Sequence, residues 1–245
     1  MKKRLNNKLF MNLLLIFFLI ALIISGVKII TYLSNNYSNK KIKETINKKV
    51  KINYKKELEY NVDFDSLKGQ NPDTVAYLKV NGTNIDYIVV QGNDNDYYLK
   101  HNYNKNKNVS GWIFADYHNR FDDTDKNIII YGHNTRDGSM FGTLKNVLTN
   151  NWQQTDNNLI ITLVTEKDTY YYKVFSTYEI IPEDYYLKTE FKDTNEFDRF
   201  INKIKDRSNY NYNIEVNPSD KILTLSSCTI GGKTRVVLHA KQIIK

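Results

Sequence analysis

The sequence predicts a mainly β fold: a closed or nearly closed barrel of about eight strands with peripheral α-helices, preceded by one transmembrane helix. Three observations predict it. A single long apolar run stands near the N-terminus. From about Val62 onward, short β-rich runs alternate with turn signals. Only two stretches in that region carry helical spacing, and many short strands with few helices favour a sheet closed on itself.

The apolar run is Leu9–Val27, interrupted only by Asn12 and Ser25 and ended by Lys28. At 1.5 Å per residue, about 20 residues just cross a bilayer core. Lys2, Lys3, Arg4 and Lys8 precede the run. Flanking cations of this kind hold the N-terminus in the cytoplasm and send the rest outward. The run is longer than the ~7–15 residues of a signal-peptide core, and no small-x-small cleavage site follows it cleanly. An uncleaved signal anchor over residues 9–28 is therefore favoured over a cleaved peptide, with residues 1–8 as a basic cytoplasmic tail. Residues 29–61 form a Lys-rich connector. Ile42, Ile46 and Val50 recur every fourth residue, so a helical stalk and a disordered linker both fit the thin apolar stripe. Residues 62–245 remain for the outer domain.

Within that domain, Thr74–Val80 and Thr83–Gln91 flank Asn81-Gly82, a strong hairpin signal. Gly111–Asp116 and Asn127–Tyr131 read as further strands. Leu159–Thr165 and Thr169–Ile180 surround Glu166-Lys167-Asp168, a second hairpin. Lys221–Ser227 and Arg235–Ile244 close the chain as strands. Helical spacing appears from Met140 to about Trp152 and from Asn195 to about Lys205, where Phe197, Phe200, Ile201 and Ile204 share one face. Asp193 followed by Glu196 resembles a capping box at the start of the second helix.

The net charge is +8, and Lys residues crowd the N-terminal portion. No zinc spacing, RNA-binding motif or basic recognition helix accompanies that charge, which argues against nucleic acid. A topology signal and attraction to an anionic membrane or wall fit it better. No residues carry metal-ligand spacing, so neither metal nor cofactor is expected.

The chain holds one cysteine, Cys228, so no intramolecular disulfide exists. A lone Cys is by default a small buried hydrophobe. This one ends a strand and precedes Thr229-Ile230-Gly231-Gly232, which puts it at a barrel rim and favours a reactive thiol. A thiolate nucleophile needs a nearby base or cation. His101 and His118 lie in polar stretches that read as solvated loop. His133 follows the apolar strand Asn127–Tyr131 and sits where a loop opens. His239 lies inside the last strand, where alternation groups it with Arg235 and Val237. His133 and His239 both remain candidates on spacing. Arg235 follows Cys228 by seven residues, and a short loop returns the chain so that both can face one cleft. A guanidinium beside a thiolate lowers its pKa, and beside a tetrahedral intermediate it stabilises the oxyanion.

Together these segments resemble the sortases, and class B in particular. The match runs through Thr224-Leu225-Ser226-Ser227-Cys228, then Arg235-Val236-Val237-Leu238-His239-Ala240-Lys241, and Ile130-Tyr131-Gly132-His133-Asn134. It continues through Asp137-Gly138-Ser139-Met140-Phe141-Gly142, Asn84-Ile85-Asp86-Tyr87, Asp94–Leu99 and Tyr185-Tyr186-Leu187, in the expected order from about Asp63 to Lys241. The resemblance implies an eight-stranded barrel with added helices, Cys228 as nucleophile, His133 as acid/base and Arg235 as oxyanion donor. It implies that Asn81, Ile85, Tyr186, Leu187 and Ser226 line a groove for the sorting signal. It further implies a membrane-anchored transpeptidase that cleaves an LPXTG- or NPQTN-like pentapeptide of secreted proteins after Thr and transfers them to a peptidoglycan amine. A plain cysteine hydrolase and an inactive wall-peptide-binding barrel are the alternatives. Two departures stand out: Ser227 replaces the family's usual Thr before the cysteine, and the loop Thr229–Thr234 lacks the acidic residue that some relatives carry.

Overall fold

Side-chain patterning dictates most of the architecture. The structure, a computed structural model, describes residues 2–53, 59–228 and 234–244. The chain divides into two compact units, Met1–Ser38 and Asn39–Lys245. Helix α1 (Lys2–Asn47) contains the apolar run. Along that run Leu9, Phe10, Phe17, Phe18 and Leu22 are all exposed, and the helix is long and apolar enough to cross a membrane. A surface so apolar all round is unfavourable in water and suited to lipid.

Residues 39–53 and 59–61 belong to the same unit as the barrel, where the sequence alone suggested a stalk or linker. The last turns of α1 bury Asn39 and Ile46. Strands β1 (Val50–Asn53) and β2 (Glu59–Val62) then pair antiparallel. Ile42, Val50, Tyr60 and Val62 pack against the main core, so the thin stripe finds its apolar partner on the barrel. Helix α2 (Phe64–Gln70) follows, capped by the Asp63 carboxylate, which accepts from Ser66 N–H.

Eight strands close into a barrel: β3 (Thr74–Val80), β4 (Asp86–Val90), β5 (Phe114–Ala115), β6 (Asn127–His133), β7 (Ile160–Val164), β8 (Thr169–Ile180), β9 (Ile222–Cys228) and β10 (Arg235–Ile244). Around the barrel the order is β10-β8-β7-β3-β4-β5-β6-β9. Among the described residues, β4–β5 and β6–β9 are the parallel pairs. The β7–β8 hairpin turns where Glu166-Lys167-Asp168 predicts. The Asn81-Gly82 hairpin has a wider loop, because β4 begins only at Asp86. The strand expected over Gly111–Asp116 shrinks to two residues.

The helix expected over Met140–Trp152 is replaced by a 3-10 turn, Leu144–Leu148, and the short α3 (Asn150–Gln153). Leu144, Val147 and Trp152 are buried as the periodicity requires. The Thr149 peptide is extended between the two turns, with ψ 140°, and breaks the helical path. Helix α4 (Thr194–Asp206) buries Phe197, Phe200, Ile201 and Ile204. Asp193 caps it by accepting from Glu196 N–H at 2.7 Å. The Glu196 carboxylate reaches back to Lys192 N–H and not to the cap residue's own.

Strand β10 separates two apolar clusters. Val236, Leu238 and Ala240 pack in the larger one, and Val237 packs in the smaller one with Phe175, Tyr178, Tyr186 and the buried face of α4. The face carrying Arg235, Val237 and His239 is thus covered by α4 and the segment before it.

Because Ile46 is 2% exposed, Ile46→Ala is expected to lower the unfolding free energy of the outer unit by about 2–4 kcal/mol. Chemical denaturation of the two proteins measures it; an unstructured connector would show no change.

Candidate functional site

The candidate site is set by strand register at one rim of the barrel. β6 and β9 pair in parallel over seven positions, from Asn127–Ile222 to His133–Cys228. His133 and Cys228 are therefore Cα neighbours at the two strand ends, about 4.8 Å apart by sheet geometry. On the other side of β9, Val237 pairs with Ser226. Both strands run two residues further, β9 to Cys228 and β10 back to Arg235. His133, Cys228 and Arg235 thus stand on three adjacent strands at the same rim. Strand direction brings the Asn81–Ile85 loop to this rim as well, since β6 is antiparallel to β5, β5 parallel to β4, and β4 antiparallel to β3.

His133 is 7% exposed. Its Nε2 lies 2.8 Å from the Leu99 carbonyl oxygen. A carbonyl only accepts, so Nε2 carries a proton and Nδ1 is left as the nitrogen that gains or loses one. Leu99 is held in turn by the loop from Tyr97 to Trp112. Trp112 N–H donates to Tyr98 O at 2.9 Å. Gly111 sits at φ +53°, where an added Cβ would lie 2.3 Å from Tyr98 O and 2.9 Å from Leu99 O. Only glycine permits so close a backbone approach. Asn39, near the end of α1, donates through Nδ2 to Gly111 O and exchanges amide hydrogen bonds with Asn108. Sequence reasoning missed Leu99, because a main-chain acceptor leaves no side-chain signal.

His239 is completely buried, and that burial lowers its pKa to about 3. It is a neutral packed residue, bonded to Tyr178 and Thr224. His101 stacks on Tyr97 with centroids 4.0 Å apart, and His118 pairs with Asp116. Neither stands on the strands that meet Cys228.

Arg235 is half-buried. Its Nη1 donates to Tyr186 Oη at 3.4 Å and lies 3.8 Å from the Asp184 carboxylate. Asp184 is 91% exposed, so this ion pair contributes little to stability. It is nevertheless an acidic group beside Arg235 that the sequence did not flag. The loop 229–233, where the acidic residue of some relatives would fall, lies outside the described residues.

The five expected groove residues divide. Tyr186 and Ser226 meet, with Tyr186 Oη and Ser226 Oγ 2.9 Å apart. Both are buried, and Leu187 beside them is partly so. Ile85 is wholly buried in the core, so it backs the rim and offers no surface as folded. Asn81 is partly exposed, but its Nδ2 donates to Asn157 O and its carbonyl accepts from Trp152 Nε1. The hairpin loop also touches the segment after His133, where Thr143 Oγ1 accepts from Asn84 N–H and Tyr87 Oη from Met140 N–H. Among the described residues, no three His, Cys, Asp or Glu side chains converge as metal ligands would.

Ser227 Oγ accepts from Val236 N–H at 2.8 Å, fastening the start of β10 to the end of β9. Ser227→Ala leaves that buried N–H without its acceptor and is expected to cost about 1–3 kcal/mol. Denaturation midpoints of Ser227→Ala and Ser227→Thr test this, with Thr retaining the hydroxyl and most of the stability.

A sequence model of the Sortase domain matches residues 78–243. Sortase B of Listeria monocytogenes is 38% identical over 187 residues, 73% of each chain. The crystal structure of sortase B from Bacillus anthracis in complex with AAEK1 superposes with a TM-score of 0.77 at 31% identity, over 87% of this chain and all of that one. The Staphylococcus aureus sortase B–substrate complex gives 0.69 at 32% identity, over 74% and 84%. This chain belongs to the sortase family, the transpeptidases of cell-wall sorting, and its relatives there are the class B enzymes.

Proposed function

We propose that the chain is a membrane-anchored cysteine transpeptidase in which Cys228 is the nucleophile, His133 the acid/base and Arg235 the oxyanion donor. The observation that carries this is the register of three neighbouring strands, with His133 paired to Cys228 and Arg235 beginning the strand on the other side. The Cys228 thiolate, its proton held by His133 Nδ1, attacks the Thr carbonyl of an LPXTG- or NPQTN-like signal. Negative charge develops on the carbonyl oxygen, where the Arg235 guanidinium donates. As the C–N bond breaks, His133 Nδ1 protonates the leaving amine and a thioester remains. A peptidoglycan amine then attacks the thioester. Its proton passes to Nδ1, the thiolate leaves, and a new amide joins the protein to the wall. Throughout, the Leu99 carbonyl accepts from Nε2–H and fixes the ring, so that Nδ1 is the nitrogen that carries the transferred proton.

Asn81, in the loop at the rim, and the partly buried Leu187, beside Tyr186, offer contacts to the sorting signal. Ile85, Tyr186 and Ser226 support that groove from beneath. The apolar stretch of α1 anchors the enzyme with its basic tail in the cytoplasm and the barrel facing the wall, as its flanking charge asymmetry supports. The substrate complex of the S. aureus relative supports a peptide substrate.

The full chain in detergent, incubated with a panel of fluorogenic sorting-signal peptides, tests the assignment. Cleavage after Thr is expected, abolished in Cys228→Ala and lowered about 10²–10³-fold in kcat/KM in Arg235→Ala. Cleavage surviving in Cys228→Ala overturns the nucleophile. Addition of an amine acceptor should divert product from free acid to amide; a product that stays free acid at every amine concentration marks a hydrolase.

A further inference from the structure

The outer face of β10 carries a buried hydrogen-bond chain that the reaction does not use directly. Its centre is His239, with Nδ1 2.8 Å from Thr224 Oγ1 on β9 and Nε2 2.9 Å from Tyr178 Oη on β8. Thr224 commits its one hydroxyl proton to Asn127 Oδ1 at 2.7 Å, so His239 Nδ1–H must be the donor to Thr224. The neutral ring then has a lone pair at Nε2, which accepts from Tyr178 O–H. Burial enforces that neutrality, and the direction of every bond follows.

Both ends of this chain emerge at one short segment. Asn127 Nδ2 donates to Lys188 O at 2.9 Å, and Tyr185 Oη donates to Tyr178 Oη at 3.4 Å. Between them, Tyr186 contacts Ser226 and receives the Arg235 N–H. The Tyr186 ring also stands edge-on to Tyr178 and His239, with centroids 6.3 Å from each.

We propose that His239 is a positioning residue, whose two ring nitrogens bridge β8 and β9 and fasten both ends of Tyr185–Lys188, so that Tyr186 is held against the Arg235 guanidinium. The proposal rests on the assignment of Arg235 as oxyanion donor. A single acceptor or donor in place of the imidazole reaches one strand only and leaves a buried hydroxyl on the other without its partner.

The test uses the full chain in detergent with His239→Phe, which keeps a ring and removes both nitrogens, and with Thr224→Val and Tyr178→Phe, which cut one link each. Amide hydrogen exchange of residues 183–190 and peptide-cleavage kinetics are both read. Faster exchange in that segment is expected, with kcat down about tenfold and KM changed less than about threefold. In an Arg235→Ala background, the same substitutions should lower kcat by less than about twofold, because the group being positioned is gone. Unchanged exchange in the folded variants, or a kcat loss that simply adds to that of Arg235→Ala, overturns the proposal. Should His239→Phe fail to fold, the two single-link variants carry the same comparison. A wild-type chain that cleaves no peptide would refute the reaction assignment, and the exchange data would still decide whether this chain of bonds fastens the segment.

Discussion

The parallel pairing of β6 with β9 is the constraint on which the site depends. β3 and β4, like β7 and β8, are consecutive strands joined by short loops, but β6 and β9 are far apart in sequence, and nothing local sets their register. The seven-pair ladder does so, reinforced at its far end by polar groups. Asn127 Oδ1 accepts from Thr224, Asn127 Nδ2 donates to Lys188 O, and Ile222 N–H donates to Lys126 O. A slip of one residue would carry every side chain to the opposite face and strand these buried partners. The same ladder that closes the barrel therefore brings His133 level with Cys228.

From that ladder, support spreads outward on both sides. Beyond β6, the loop from Tyr97 to Trp112 brings the Leu99 carbonyl to His133, and its shape depends on Gly111 and on the Asn39–Asn108 amide pair. Beyond β9, strand β10 presents Arg235, and the segment after β8 covers its outer face through Tyr186 and the apolar side of α4. Residues remote in sequence thus hold His133 and Arg235, the first through a main-chain carbonyl and the second beside a buried tyrosine hydroxyl.

Tyrosine makes much of this possible. The chain has 19, and their hydroxyls tie elements together inside the fold. Tyr98 donates to Asp73, Tyr103 to Leu67 O and Tyr131 to Asp116. Burial raises the Tyr87 and Tyr212 phenols to about 12, so these groups remain neutral and serve as hydrogen-bonding tips on large apolar bodies. Composition alone showed the abundance of tyrosine but assigned it no role.

Much was legible in sequence because it is governed by neighbours along the chain. β3, β8 and β10 appear at the residues their β-rich runs predict. The apolar stretch of α1 and the Asp193 cap of α4 follow from hydropathy and from a side chain three residues away. The strand-end positions of His133 and Cys228, and the alternation of Arg235 with His239, also follow from local period. Tertiary structure decided the rest. Ile42, Ile46, Val50, Tyr60 and Val62 pack on the main core because it offers their thin stripe an apolar partner. Residues 140–152 give up a continuous helix for two short turns that still bury Leu144, Val147 and Trp152. Spacing favours His133 over His239 only modestly; the fold parts them, pairing one with Cys228 across β6 and β9 and enclosing the other among Tyr178, Thr224 and Phe175. Local sequence determines which side chains share a strand and a face, whereas register between strands distant in sequence determines which of them meet, and that is fixed only when the whole barrel closes.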